Sequence, residues 1–437
     1  MINPNVAYYL DEFPRLAGRL PGRSLPWLQQ ARQSALANFG RLGFPTLRNE
    51  DWKYTNVAAI EKGRFALVPP TGRRGLSAER LRALTLPGAH LMLFIDGRYE
   101  PGLSQPGTLP AGAVLTSLAR ALELDTAGLE ALWKQESPDA FTALNTAFLS
   151  DGAYLHLPAG SAVEAPIHLL FIASAGNLAI QTRNLIVAEA GSRADIVEHH
   201  VALNDFSYLS NVVTRIVVGA GAEIGHHKLQ QESQRAFHVA TVQAHLGQNS
   251  RLTSGSFALG GALARIGIDV ALAAEGASCQ LDGLHVTDGR QHVDHHTRID
   301  HLKPRGTSRE LYKGVMAGSS RAVFNGKVVI HPGAGQSDAF QSNRNLLLSP
   351  NAEIDTKPQL EIFADDVKCG HGATVSQLDP DQVFYLCSRG LDDASARALL
   401  TRAFADEIIE RVTLPSLRQR LEQLVLERLP ASWRSAP

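Results

Sequence analysis

Ala159-Gly-Ser-Ala-Val163, Ala190-Gly-Ser-Arg-Ala194, Ala220-Gly-Ala-Glu-Ile224, Glu275-Gly-Ala-Ser-Cys279 and Ala317-Gly-Ser-Ser-Arg321 are variants of one small-residue turn. Their glycines stand at 160, 191, 221, 276 and 318, in steps of 31, 30, 55 and 42 residues. The 55-residue step divides at Leu246-Gly-Gln-Asn-Ser250, and the 42-residue step calls for an insertion. Pro332-Gly-Ala-Gly-Gln336 and Pro350-Asn-Ala-Glu-Ile354 read as later turns. Between the turns lie short runs rich in Val, Ile, Leu, Ala and His. Strand-like runs separated by recurring tight turns are what a parallel β-solenoid requires, because one coil is too thin to bury its own apolar face and must be covered by the next. Glycine and asparagine suit such corners, where φ is often positive. An antiparallel jelly roll uses similar turns without a fixed repeat and is the competing architecture.

Working outward, residues 151–388 read as the solenoid core, 1–150 as a mixed helical N-terminal domain and 389–437 as a helical C-terminal domain. Pro26 opens a helix whose Trp27, Ala31, Ala35, Leu36 and Phe39 recur at helical spacing, with Gly40 and Gly43 as its stop. Arg48-Asn-Glu-Asp-Trp-Lys-Tyr-Thr-Asn56 reads as a capping segment laying Trp52 and Tyr54 on the next domain. Pro69 to Gly75 is a turn-rich linker, Leu91 to Ile95 a short buried strand, and Leu115 to Phe148 helical. Asp392 or Asp393 caps a helix with Leu399, Leu400, Phe404, Ile408 and Val412 on one stripe, and Glu407 and Arg411 at i,i+4 spacing. Pro415 starts a second helix carrying Leu417, Leu421, Leu424, Val425 and Leu429. These two helices either cap the solenoid or dock a partner.

The 437 residues exceed what one hydrophobic core normally serves. Lys+Arg 42 against Asp+Glu 43 gives no electrostatic footprint for nucleic acid or a membrane. Three cysteines, Cys279, Cys369 and Cys387, cannot staple such a chain, which points to a reducing compartment. With no visible signal peptide and no long apolar run, a soluble cytoplasmic protein is expected.

Sixteen histidines concentrate in the middle of the chain. In His292-Val-Asp294-His-His296, residues 292, 294 and 296 share one strand face, with His295 and His301 on the other. A His-x-Asp-x-His ridge suits zinc or iron and leaves open a metal-dependent solenoid or cupin-like enzyme. The plainer reading is a polar outer face, with Arg290 and Arg298 pairing the aspartates. In Lys368-Cys-Gly-His-Gly-Ala-Thr374, Cys369 and His371 leave the same face, glycines flank the imidazole, and Lys368 beside the thiol favours thiolate. Thiolate and imidazole are ligands for iron and iron–sulfur centres, but two ligands are half a site. A buried cysteine with a structural histidine is the alternative. No nucleophile elbow, phosphate loop or dinucleotide fingerprint is present, which argues against a self-contained ATPase or NAD enzyme.

Thr307-Ser-Arg-Glu-Leu-Tyr-Lys-Gly314, Arg321-Ala-Val-Phe-Asn-Gly326, Gln341-Ser-Asn-Arg-Asn-Leu-Leu-Leu348 and the block Ala352 to Thr374 resemble the SufB/SufD family of iron–sulfur cluster assembly proteins. Asn49-Glu-Asp-Trp-Lys-Tyr-Thr55 is also similar to that family. The Lys-Cys-x-His-Gly-Ala-Thr pattern is that of the SufD branch, whereas SufB carries a cysteine near the position held here by Ser342. The resemblance implies a right-handed parallel β-helix and a non-catalytic scaffold paired with a SufB-like paralogue through the core. It implies His371, with Cys369 beside it, at an interfacial site for a transient iron–sulfur cluster. It also implies a SufC-like ATPase docked on the C-terminal helices through Leu399, Leu400, Phe404 and Ile408. Reduced flavin is associated with such complexes, and self-pairing of the isolated chain is a further expectation.

Overall fold

The small-residue turns are the corners of a parallel β-solenoid of about 8 turns, with helices at both ends of the chain. The computed structural model describes residues 3–68, 75–124, 126–133, 139–429 and 433. Of the linker expected at Pro69 to Gly75, only Gly75 lies among them. On one side of the solenoid the corners turn at Gly160, Gly191, Gly221, Asn249, Gly276, Arg305, Gln336 and Asp366, all with positive φ. The steps are 31, 30, 28, 27, 29, 31 and 30 residues. The insertion expected between Gly276 and Gly318 therefore does not exist. Gly318 belongs to the opposite corner, between the strands Thr307–Met316 and Arg321–Ile330. The corner that continues the series is Arg305, a side chain that enters the left-handed region at a cost of about 1–2 kcal/mol.

Successive strands alternate between two sheets, one of 10 strands and one of 9. Within the solenoid each strand pairs in parallel with the strand two ahead in sequence, without a register slip. Glu310, for example, lies between Leu281 and Gln341. Register fixes which rows point inward, so the interior is a stack of ladders such as Ile216, Ala244, Val270 and Ile299, buried between the sheets. The strand His90–Ile95, foreseen as Leu91 to Ile95, joins the 10-stranded sheet beside Ile167–Ala173.

The helices lie along the sides of the solenoid. Helices Pro4–Leu16, Pro26–Leu42 and Ala140–Phe148 cover the outer face of the 9-stranded sheet at Ala179, Leu209, Val239 and Leu263. Gly40 sits inside its helix, and Gly43, at φ 65°, ends it. The segment read as wholly helical from Leu115 begins with a strand, Val114–Ser117, before helices Leu118–Leu124, Thr126–Trp133 and Ala140–Phe148.

At the other end, helices Asp393–Ile409 and Pro415–Arg428 cover Val197, Leu229, Phe257, Leu284 and Leu311 on the outside of the 10-stranded sheet. Asp392 is the cap, accepting from the Ser395 backbone N–H at 2.9 Å. Leu417, Leu421, Leu424, Val425 and Leu429 are all buried. The first helix differs from its expected stripe. Its buried row is Ala396, Thr401, Ala405, Ile408 and Ile409, while Leu399 is 47% exposed and Leu400 and Phe404 are half-buried. Small side chains let the helix settle onto the sheet and turn the larger leucines away. Glu407 and Arg411 do not pair with each other. Glu407 bonds to Lys313, and Arg411 to Asp282.

The two ends of the solenoid are built differently. At the N-terminal end the sheets finish in short antiparallel strands, Arg98–Tyr99 and Val114–Ser117. At the C-terminal end, Glu353–Ile362 and Lys368–Ser376 each have a strand neighbour on one side alone among the described residues. Among the described residues no helix is long and apolar enough to cross a membrane.

Candidate functional site

The terminal strand Lys368–Ser376 carries Cys369 and His371. Cys369 stacks above Ala339 and His371 above Gln341, both buried inward residues of the preceding rung. The pair thus continues two inward columns onto the last rung, which no further coil covers among the described residues. Cys369 is half-buried against the end of the apolar core, and His371 is exposed. Lys368 faces the opposite way because neighbours on a strand alternate. The expected thiolate is corrected accordingly: burial pushes the Cys369 thiol up, opposed by a backbone hydrogen bond at Ala339. Gly370 is explained by the outer face, where a Cβ would come within 2.9 Å of the Phe340 ring.

Beneath the pair lie polar residues that the sequence analysis did not single out. Gln341 is fully buried and donates from Nε2 to Glu310 Oε2 at 2.6 Å. Glu310 is itself buried, which pushes its carboxyl up to about 7. The signal that locates both is the repeat: residues 310, 341 and 371 are one rung apart on a single inward column.

Around this end, apolar side chains stay in solvent: Phe340 at 54%, Phe363 at 60% and Val375 at 49%. Two strand edges without outer partners, rimmed by exposed aromatics, form a surface suited to strand pairing. No third His, Cys, Asp or Glu is grouped with Cys369 and His371 as a metal site among the described residues.

The His292, Asp294 and His296 ridge shares a face, as expected, and that face lies under the Asn49 to Thr55 segment. Asp294 is buried and engaged by Arg265, its ladder neighbour, and by the Thr55 hydroxyl at 2.6 Å. Arg265 in turn stacks over Trp52 at 4.0 Å, and Trp52 stacks on Phe141. Arg290 takes no part in holding Asp294, and Arg298 pairs with Asp300. His292 meets Thr55 at 3.1 Å, and burial holds His296 down to about 4. The ridge anchors the N-terminal segment at the edge of a 560 Å³ cleft also lined by Arg298, Lys327 and Lys357. Tyr54 is half-buried nearby. His295 and His301 point inward, as expected, and are buried.

Of the four residues expected to dock an ATPase, Ile408 is turned into the solenoid wall and is unavailable. Phe404 lies half-buried with its ring 4.1 Å from the Lys313 ammonium. Leu399 projects outward, and Leu400 is half-buried.

Comparison with known proteins bears on this arrangement. Residues 171–404 match the family described as "SUF system FeS cluster assembly, SufBD core domain", and residues 5–169 match the SufBD N-terminal region. The chain belongs to the SufBD family of iron–sulfur cluster assembly proteins. It is 33% identical to the iron–sulfur cluster assembly protein SufD of Escherichia coli over 436 residues, covering 99% of each chain. It is 35% identical over 413 residues to a SufBD family iron–sulfur cluster assembly protein of Synechocystis, covering 91% of this chain and 90% of that one. SufD of Bacillus subtilis is 26% identical over 416 residues, covering 91% and 93%. The solenoid with helices at both termini is the architecture that the resemblance implied.

Proposed function

We propose that this SufBD chain is a non-catalytic scaffold subunit that supplies half of the site on which a nascent iron–sulfur cluster is assembled. His371 is the contributed ligand and Cys369 its neighbour. The cluster is cargo, and the remaining ligands come from a SufB-like paralogue. The observation that carries this reading is the position of Cys369 and His371 on the inward face of a last rung with two open strand edges. A second solenoid pairing along Glu353–Ile362 and Lys368–Ser376 would extend both sheets, bury the exposed aromatics and close the half-site. Imidazole and thiol are competent donors to iron. The raised thiol favours a Cys369 that gives up its proton only when metal is present, since ligation requires the thiolate.

The outward side of helices Pro380–Ser388 and Asp393–Ile409 presents Phe384, Tyr385 and Leu399 to solvent. We assign the docking of a SufC-like ATPase to this side, with Leu399 rather than Ile408 as its apolar contact. The test is a His371→Ala chain reconstituted with a SufB-like partner and the ATPase. The expected result is an intact complex that no longer accumulates cluster by absorbance and iron and sulfide content. An intact complex with undiminished cluster overturns the assignment.

A further inference from the structure

One inward column of the 10-stranded sheet reads Leu281, Glu310, Gln341 and His371 on consecutive rungs. When Glu310 is ionised, its hydrogen bond with Gln341 fixes the direction of the amide, because only Nε2 can donate to a carboxylate. Among the described residues, the Gln341 Oε1 atom is left buried without a partner. Gly326, across the lumen, makes room for this amide, since a Cβ there would collide with Nε2. Adjacent strands are about 4.8 Å apart, so the side chain above Gln341 on the same column is His371.

A buried amide oxygen without a donor is costly, and an imidazole N–H supplied from the next rung satisfies it. Histidines that bind metal commonly give their other ring N–H to a second acceptor, which fixes the tautomer and aims the lone pair. We propose that Gln341, held by Glu310, is a positioning residue that accepts the His371 ring N–H when the partner closes the site, so that the other ring nitrogen faces the cluster. This rests on the reading of His371 as a cluster ligand. The column is then carboxylate, amide and imidazole in line, with one donor and one acceptor at each contact.

The test is the ring-nitrogen NMR spectrum of the histidine-labelled chain in complex with its SufB-like partner, with the His371 signal identified by its loss in His371→Asn. A single His371 tautomer is expected in the wild-type complex. Gln341→Met keeps the side-chain length and removes the acceptor, and should give mixed tautomers with a roughly 10–100-fold loss of cluster-forming activity. Glu310→Gln, which still accepts from Nε2, should preserve the single tautomer, whereas Glu310→Leu should lose it. Mixed tautomers in the wild-type complex, or no change in Gln341→Met, overturn the inference. The wild-type spectrum decides even if the variants fail to fold. Should the tautomer respond while His371→Ala retains full cluster yield, the ligand reading fails and the positioning contact stands.

Discussion

Lys228 forms an ion pair with Glu198 inside the solenoid, both side chains being almost completely buried. They are register neighbours on adjacent rungs, and His226 meets the other Glu198 oxygen at 2.9 Å. Burial opposes ionisation of Glu198, yet Lys228 and the two histidines His200 and His226 hold its carboxyl well below the usual range. Lys228→Met removes the cation that balances that charge and is expected to cost about 3–5 kcal/mol. The double variant with Glu198→Leu should recover most of the loss. Urea unfolding of the three chains checks both statements.

Acid should unfold this protein through its interior histidines. Burial holds His168, His227 and His285 down to about 3, against 6.5 when unfolded. The unfolded chain therefore binds more protons below pH 6.5, and stability is lost as pH falls from there toward 3. Glu310 at about 7 and Asp151 and Asp269 at about 6 act in the opposite sense, contributing stability that is lost as pH rises through those values. Burial likewise holds His200, His295, His296 and His301 down to about 4, so the histidines outweigh the three carboxyls. The urea midpoint should accordingly fall as pH drops below about 6.5, most steeply below about 4.5, where the carboxyls no longer compensate. A midpoint that rises below pH 4.5 contradicts this account.

The C-terminal helices are fastened at Lys313, whose ammonium donates to the Phe404 carbonyl at 2.9 Å and to Glu407. Lys313→Met should weaken that attachment by about 1.5–3 kcal/mol, the scale of hydrogen bonds to a charged group. Hydrogen exchange is expected to quicken across Asp393–Ile409 and Pro415–Arg428 while the inner strands stay protected. Uniform quickening throughout the chain would show that the helices and solenoid open together.

Two glycines should respond differently to alanine. At Gly283 a Cβ would run into the Tyr312 ring, whereas at Gly372 nothing lies within 4 Å. Gly283→Ala is expected to cost about 1–3 kcal/mol by overpacking, and Gly372→Ala to stay within about 0.5 kcal/mol. Thermal melts of the two variants make the comparison.

The solenoid was legible because five of its corners are glycine-centred turns, and the register of the count failed where Arg305, Gln336 and Asp366 take the left-handed conformation instead. Nothing in their side chains announces that conformation. The neighbouring coil imposes it, so a search for glycine skips to Gly318 on the wrong corner. Cys369 and His371 stood out by alternation on one strand. Gln341 and Glu310 did not, because their relation to His371 is one rung of register rather than proximity in sequence. The first C-terminal helix was misjudged for a related reason. Its contact with the sheet selects Ala396 and Ala405 for their size, and hydrophobicity alone pointed to Leu399 and Leu400.

The unlike ends of the solenoid also bear on how far an end-to-end assembly could grow. Among the described residues, edges of 10 and 9 residues are free at one end, and strands of 2 and 4 residues finish the other. A coil with long free edges at both ends would polymerise head to tail into fibres. With one end blunted, the end-to-end pairing proposed above would stop at two solenoids. In that proposed pair, the same asymmetry would put His371 at the midpoint.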